Sequence, residues 1–325
     1  MRAQVCWMLQ NRRAKASERS LRHARLRPDI APSNTASFSL SPFERSHGVN
    51  RWSEDYAFDA APMKAGNVSA VNLEATHRLW DELSDFEAGQ SPMAAAHLMT
   101  ALCEATGAWN ATWAGAIRLG DVAPADPLQG WRVAAMQALH PVQPHPDEQH
   151  FKEIMEVWDR REIDPSFLLP MQNVGTFRLY SFRRELPLDW FETPFYRRHY
   201  GSVGTHDAVF VAFPLNADCE SHFGFYSGKT FTDEEIAQLV HALRGIKWFH
   251  RHLMLGHGLI MASSPLTPAE RRVLHMLLTK ATEKQIGREL EIATSTAHQH
   301  VTRIFRKFGV SSRAELMSLW LNGAS

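Results

Sequence analysis

The hydrophobic pattern of the last sixty residues predicts four short helices. Between Leu266 and Leu321, three helix-start signals occur at Thr267, Thr282 and Ser312, each followed three residues later by Glu or Gln. A hydroxyl N-cap paired with such a side chain satisfies two backbone N–H groups, so this spacing marks helix N-termini. Starts this close together leave room only for helices of roughly two to four turns.

The third of these helices has an apolar face and a polar face. The residues expected to be buried recur at three- and four-residue spacing: Ala297, His300, Val301, Ile304 and Phe308. The opposite face carries Ser295, His298, Gln299, Thr302, Arg303 and Arg306. Only residues 291–293 separate this helix from the one before it, about the length of the turn in a helix-turn-helix. This arrangement suits a helix that lies in a DNA major groove, and a solvated helix bundle is the alternative.

The central part of the chain alternates between helical and strand patterns. Helices are predicted over 72–84, 93–106 and 151–161, and one long helix runs from 231 towards 256. Strands are predicted over 111–119, 131–139, 207–215 and 221–227. Strands between long helices at the start and the finish predict an α+β domain with an antiparallel sheet.

Charge and cysteine usage narrow the functional classes. The 325 residues carry 35 basic and 35 acidic side chains, but residues 265–325 hold nine basic and five acidic ones, whereas 63–264 hold sixteen and twenty-four. A basic end on an acidic body indicates that one module meets phosphates. No apolar run approaches the ~18 residues of a membrane helix. Cys6, Cys103 and Cys219 are scattered and odd in number, which favours reduced thiols and a cytoplasmic protein.

The segment from Leu266 to about Leu321 resembles the LuxR-type helix-turn-helix without a gap. The matching positions are Thr267-Pro268, Glu270, Val273-Leu274, Lys284, Ile286, Leu290, Ile292, Thr296, His300, Ile304, Lys307, Gly309-Val310 and Arg313-Ala314-Glu315-Leu316. Departures from the family pattern occur at Glu291, where a glycine is usual in the turn, at His298, where a lysine is usual, and at Thr302, a place that is often basic. The resemblance implies a bacterial transcriptional regulator that binds double-stranded DNA, with RNA polymerase as a further candidate partner.

Specific roles follow for residues of this domain. The exposed stripe of the third helix makes His298, Gln299 and Thr302 candidates for reading base edges. The candidates for phosphate contact are Lys284, Ser295, Arg303, Arg306 and Lys307. In the resembling family the last helix pairs two modules about a two-fold axis, which implies a homodimer interface at Leu316, Leu319 and Trp320. Packing of Trp320 within its own module is the alternative.

The region before it is similar to GAF-like sensory domains. The resemblance rests on Trp190-Phe191, Pro194-Phe195-Tyr196, Asp207-Ala208-Val209, Phe223-Gly224-Phe225 and Phe231-Thr232-Asp233-Glu234-Glu235. It implies a small-molecule pocket on one face of the sheet. The aromatic candidates for lining it are Trp109, Trp113, Trp131, Trp158 and Tyr180, and the alternative for each is a place in the core. Asp164-Pro165 resembles the Asp-Pro of the acyl-homoserine-lactone receptors, so Asp164 is a candidate ligand partner, and the effector stays unidentified.

We expect four regions along the chain. These are a disordered basic extension over 1–65, a GAF-like sensor over 66–257, a linker over 258–264 and a small four-helix DNA-binding domain over 265–325. The extension is either an upstream segment that precedes the native start or a basic arm that touches DNA.

The residues favour no enzyme, cofactor or metal site. Ser263 and Ser264 lack a nucleophile elbow, and His140, His145 and His150 alternate with prolines in a pattern typical of an extended loop. Two functions remain: a transcriptional regulator controlled by a small-molecule effector, and a transcription-associated adaptor whose sensor domain binds a protein partner. An apolar cavity favours the first, and an exposed apolar patch favours the second.

Overall fold

The computed structural model describes residues 72–120, 126–141, 163–279 and 281–321. The predictions for residues 1–65, for a helix over 151–161, for Trp158 and for two of the three loop histidines fall outside these ranges.

A five-stranded antiparallel sheet forms the centre of the first domain. Its strands are β1 Asn110–Arg118, β2 Trp131–Ala138, β3 Arg178–Ser181, β4 Asp207–Asn216 and β5 Cys219–Ser227. They lie side by side in the order β2-β1-β5-β4-β3, and each neighbouring pair is antiparallel. Four of these strands confirm predicted ones, whereas β3 is new and only four residues long.

In the described ranges, four longer and three short helices accompany the sheet, and four more follow up to Leu321. In chain order the helices are α1 Leu73–Ser84, α2 Ser91–Thr106, α3 Pro165–Leu168, α4 Phe182–Glu185, α5 Pro194–His199, α6 Asp233–Arg244, α7 Lys247–Gly256, α8 Pro268–Leu277, α9 Glu283–Glu289, α10 Thr294–Phe308 and α11 Arg313–Leu321. Short 3-10 turns lie at Ala88–Gln90, Leu169–Met171, Leu188–Glu192 and Gly201–Val203. None of the helices in these described ranges is long and apolar enough to cross a membrane.

The two faces of the sheet are covered differently. Alternation along β4 places Val209 and Val211 on the face that packs against α1, α2, α6 and α7, where they are fully buried. Ala208 and Ala212 lie on the other face, in a second core with the aromatic residues of the segment from α3 to α5. The members of this aromatic cluster are Tyr180, Phe182, Trp190, Phe191, Phe195, Tyr196, Tyr200, Phe210 and Tyr226.

The prediction of one long helix from 231 towards 256 is wrong in its middle, because α6 ends at Arg244 and α7 begins at Lys247. The indole of Trp80 lies against Gly245, where an added Cβ would come within 2.3 Å of the ring. The indole Nε1 also donates to the carbonyl of Ala242 at 2.9 Å. A bulky ring in contact with backbone therefore occupies the point where the two helices separate.

The last four helices confirm the predicted all-α domain. Capping boxes start α8 at Thr267 and α9 at Thr282, as predicted. At α11 the hydroxyl of Ser312 accepts from the N–H of Glu315, but the Glu315 carboxylate bonds the backbone N–H of Ser311 and not that of the cap residue. The chain thus has the predicted fold class: an α+β domain with an antiparallel sheet flanked by helices, then a small helical domain.

The residues between the two domains are packed against both of them. The N–H of Leu266 donates to the carbonyl of His257 at 3.0 Å, and the N–H of Ser263 donates to the carbonyl of Lys307 at 2.7 Å. Leu259 and Ile260 are buried in the shared core. The predicted linker over 258–264 therefore joins the domains through fixed contacts.

Candidate nucleic-acid interface and ligand face

The turn before α10 is set by a Schellman motif at the end of α9. The N–H of Glu291 donates to the carbonyl of Arg288 at 3.4 Å, and the N–H of Ile292 donates to the carbonyl of Gly287 at 2.8 Å. These bonds require a left-handed residue after the helix, and Glu291 adopts φ +54°. The turn keeps the shape that glycine adopts without steric cost, so the glutamate holds a strained backbone. This motif fixes the direction in which α10 leaves α9.

Helix α10 has the two faces that its sequence predicts. Ala297, Val301, Ile304 and Phe308 are buried, and His300 is half-buried. The following DNA-contact candidates are exposed: Lys284, Ser295, His298, Gln299, Thr302, Arg303 and Arg306. The base-reading candidates thus lie exposed on one helix face, as a major-groove helix requires. Their individual contacts with DNA stay predictions.

Lys307 does not share this exposure. Its ammonium donates to Glu270 Oε2 at 2.7 Å and to the carbonyl of Pro265 at 2.8 Å. The side chains of the pair are 17% and 5% exposed. Burial would raise the pKa of Glu270, but the hydrogen bonds from Lys307 and Thr267 lower it below its ordinary value. We therefore correct the assignment of Lys307 from a phosphate contact to a clamp between α10 and the start of α8.

His298 is the base-reading candidate with a charged neighbour on another helix. Its Nδ1 lies 3.1 Å from Glu283 Oε2 and 3.2 Å from Glu283 Oε1. Glu283 is the first residue of α9, so the pair bridges the two helices of the helix-turn-helix. Thr302 bonds back to the carbonyl of His298 at 3.0 Å and keeps its side chain along the same face.

In the first domain, the side of the sheet opposite the long helices carries two of the predicted pocket residues. Tyr180 is buried and stacks on Phe210 with ring centroids 5.0 Å apart. Asp164 accepts the indole N–H of Trp190 at 2.9 Å and the N–H and hydroxyl of Ser166 at 2.9 and 2.6 Å. The Asp164 carboxylate thus joins the start of α3 to Trp190, a member of the aromatic cluster.

The same face contains a buried ion pair next to the aromatic rings. Arg178 donates to both oxygens of Glu220 at 2.8 Å, and the Nε2 of His222 lies 3.2 Å from Glu220 Oε2. Burial alone would raise the pKa of Glu220, but hydrogen bonds from His222, Arg178 and the Gly175 N–H lower it to about 2. The pair supplies fixed charge beside an apolar surface.

Trp113 belongs to the opposite face, against the prediction that it lines a pocket with Tyr180. It is fully buried, its indole N–H donates to the Ser221 hydroxyl at 2.9 Å, and its ring lies 4.7 Å from that of His257. The reason is strand parity, since Trp113 and the helix-facing Ala111 are two residues apart on β1. Trp113 is a core residue.

Trp131 lies on β2, at the edge of the described sheet opposite to β3, which carries Tyr180, and Trp109 directly precedes β1. Trp131 is buried at the start of β2, where it pairs with Arg118. Trp109 lines a cleft of about 370 Å³ at the end of α2, with Cys103 and His140, and its ring centroid lies 6.3 Å from that of Tyr226 of the aromatic cluster. Burial, together with the charge of a neighbouring glutamate, raises the pKa of the Cys103 thiol to about 11, so it is a protonated thiol. The predicted pocket residues therefore divide among several places.

Residues 264–320 match the family of bacterial regulatory proteins of the luxR type. The carboxy-terminal domain is a LuxR-type DNA-binding domain. The chain is also 27% identical over 97 residues to the transcriptional regulatory protein MctR of Rhizobium johnstonii, an alignment that covers 29% of this chain and 45% of MctR. The chain thus spans less than half the length of that curated relative.

Two solved structures align with larger parts of the chain. The VqsR LBD domain from Pseudomonas aeruginosa is 16% identical, covers 55% of this chain and 94% of its own, and has a TM-score of 0.37. A structure of SdiA in complex with octanoyl-rac-glycerol is 13% identical, covers 76% and 93%, and has a TM-score of 0.38.

The last helix of the LuxR-type domain is in contact with the first domain. Leu316 and Trp320, two of the three predicted dimer residues, are buried in this chain, and Trp320 packs near Phe308. From α7, Arg251 donates to the carbonyl of Leu319 at 2.6 Å, and His252 donates to the carbonyl of Trp320 at 3.2 Å. The predicted dimer ridge at Leu316 and Trp320 is corrected to an internal packing surface.

Sequence reasoning missed several residues of these sites. Glu283 gives no periodic signal, because its partner His298 lies fifteen residues away. Arg251 and His252 belong to a helix that carries no motif. The ion pair of Arg178 on β3 and Glu220 on β5 would have needed the pairing of both strands with β4, and β3 is too short for a strand pattern.

Proposed function

We propose that this chain is a bacterial transcriptional regulator that binds duplex DNA with α10 and responds to a small-molecule effector in its sensor domain. The observation that carries the proposal is the exposed polar stripe of α10, opposite a buried apolar stripe, within a LuxR-type domain. Phosphate contacts by Arg303, Arg306 and Lys284 would supply affinity, and His298, Gln299 and Thr302 would supply sequence preference.

The sheet face that bears Tyr180 supports the effector part of the proposal. Its floor contains small residues, including Ala114, Ala212 and Gly224, beside the aromatic cluster and the buried Arg178–Glu220 pair. Pockets for small molecules combine such apolar walls with a few fixed polar groups. The effector that fits this chemistry is a mainly apolar molecule with a small number of hydrogen-bonding groups.

One observation favours the adaptor as a second candidate. Val133 and Met136 are 60% and 51% exposed on β2, which lies at an edge of the described sheet. An exposed apolar edge strand is a site where another protein chain can add. If the chain is such an adaptor, Val133→Lys would abolish transcriptional regulation in cells and leave DNA binding by the purified protein unchanged.

The homodimer is also a proposal. On α11, Met317 and Leu321 are 38% and 84% exposed and four residues apart, so they form one apolar strip. A two-fold interface needs such a self-complementary surface. Sedimentation of Met317→Glu with a selected duplex would give one protein per site if this strip pairs two domains. Two proteins per site would remove it from the interface.

Selection of bound sequences from random duplex DNA, with and without cell extract, tests the main proposal. A recurrent sequence is expected, with stronger enrichment when extract supplies the effector. Enrichment of no sequence under either condition would refute DNA reading. A recurrent sequence that is unaffected by extract, together with loss of regulation in Val133→Lys, would favour the adaptor.

A further inference from the structure

The contact between Glu283 and His298 decides which hydrogen-bonding group the imidazole presents to DNA. A carboxylate has oxygens that only accept hydrogen bonds. Both oxygens of Glu283 lie within 3.2 Å of Nδ1 of His298, so the hydrogen of the neutral ring is at Nδ1. The Nε2 atom then carries a lone pair and acts as an acceptor.

The imidazole of His298 lies where its Nε2 atom can contact a DNA base. The side chain of His298 is 66% exposed, on the face of α10 that also carries Gln299 and Thr302. In the major groove the donors are the exocyclic amino groups of cytosine and adenine, whereas guanine presents two acceptors, N7 and O6. An acceptor at Nε2 therefore matches cytosine or adenine and meets like atoms on guanine.

We propose that Glu283 is a positioning residue for sequence recognition: it holds His298 in the form protonated at Nδ1, so that Nε2 accepts from a cytosine or adenine amino group. The inference rests on the proposed function of α10 as the reading helix. Thr282 and Gln285 form the capping box that starts α9, so the helix start does not depend on Glu283. The carboxylate is thus free to be changed without removal of the cap.

Glu289 provides a matched control on the same helix. It is the last residue of α9 and exposed, so Glu289→Ala removes one negative charge from that helix without a change at His298. Any general gain in affinity from lower repulsion of phosphate should occur in both alanine variants. Only the Glu283 variants should change the base preference at one position.

The experiment compares the full chain with Glu283→Ala, Glu283→Gln, Glu289→Ala and His298→Ala by selection from random duplex DNA. The wild type and Glu289→Ala should prefer cytosine or adenine at one position, and that position should become indifferent in His298→Ala. Glu283→Ala should reduce the preference there several-fold, to within about threefold of equal use of the four bases, with other positions unchanged. Glu283→Gln should admit guanine as well, because its amide can donate to Nδ1 and move the ring hydrogen to Nε2.

Nitrogen chemical shifts of the neutral His298 ring give a readout that a structural role would not move. The wild type should show hydrogen on Nδ1, and Glu283→Ala should show a mixture of both tautomers. Hydrogen on Nε2 in the wild type, a wild-type preference for guanine at the His298-dependent position, or an unchanged preference in Glu283→Ala would each overturn the inference. If no sequence is enriched even for the wild type, the proposed function itself fails.

Discussion

Glycine at position 291 should stabilise the helix-turn-helix. Glu291 has φ +54°, and an L-residue in the left-handed region costs about 1–2 kcal/mol relative to the right-handed one. Glycine adopts that conformation without strain. However, glycine also increases the conformational entropy of the unfolded chain, which lowers the free energy of unfolding by about 0.4–1 kcal/mol. The two effects leave Glu291→Gly more stable by about 0.5–1 kcal/mol.

A second glycine in this domain gives the reciprocal change. Gly309 ends α10 with φ +64°, and an added Cβ would meet no atom within 4 Å. Gly309→Ala therefore introduces backbone strain without a clash and should lower the free energy of unfolding by about 0.5–1 kcal/mol.

Glu291→Ala is the control for the charge that is lost in Glu291→Gly. Alanine keeps the strained φ, so the stability of this variant should stay close to that of the wild type.

Urea unfolding followed by circular dichroism measures all three variants on the same chain. The reasoning requires Glu291→Gly to unfold at higher urea, Gly309→Ala at lower urea, and Glu291→Ala at nearly the wild-type concentration. Equal stabilisation by glycine and alanine at position 291 would show that the charge, and not the backbone conformation, is the source of the effect.

Three further predictions concern buried groups. Trp320→Ala should destabilise the chain by about 3–5 kcal/mol in urea, since the indole is only 6% exposed; a fully stable variant would refute the internal packing. Lys307→Met should cost about 1–3 kcal/mol by leaving Glu270 without its partner, with an unchanged salt dependence of DNA binding; a slope reduced by about one would restore Lys307 as a phosphate contact. The pKa of Glu220 is lowered from its ordinary value of 4.5 to about 2 in the folded chain. The ionised carboxylate therefore stabilises the folded chain fully above pH 4.5, and this stabilisation is lost as the pH falls towards 2. The shift corresponds to about 3 kcal/mol in the free energy of unfolding. Glu220→Gln should therefore reduce the loss of stability between pH 4.5 and pH 2. An unchanged loss of stability in this variant would exclude the ion pair.

Local chemistry explains which parts of the structure could be predicted from the sequence. The capping boxes at Thr267 and Thr282 use residues three apart, and the core stripe of α10 uses spacings of three and four, so both are visible in a short window. The departure at Glu291 is visible in the family pattern, and its φ of +54° shows that the turn keeps the left-handed conformation.

The remaining features depend on residues that are distant in sequence. The break between α6 and α7 lies at Gly245, a residue type that is common at helix ends, but the Trp80 ring that meets it is distant in sequence. Lys307 is a basic residue on the reading helix, as a phosphate contact would be, but its partner Glu270 lies on another helix. Trp113 and Tyr180 are both large aromatics near the sheet, and only strand pairing reveals that they face opposite sides.

The most direct test of DNA reading by α10 compares two variants on two duplexes. Arg306 and Gln299 are both exposed on this helix, and we assign the first to phosphate and the second to a base edge. Affinities should be measured for a selected sequence and for a scrambled one over a range of salt concentrations. Arg306→Ala should weaken both duplexes alike and reduce the salt slope by about one. Gln299→Ala should weaken only the selected sequence, by roughly 1–3 kcal/mol. Equal losses on both duplexes for both variants would contradict the account.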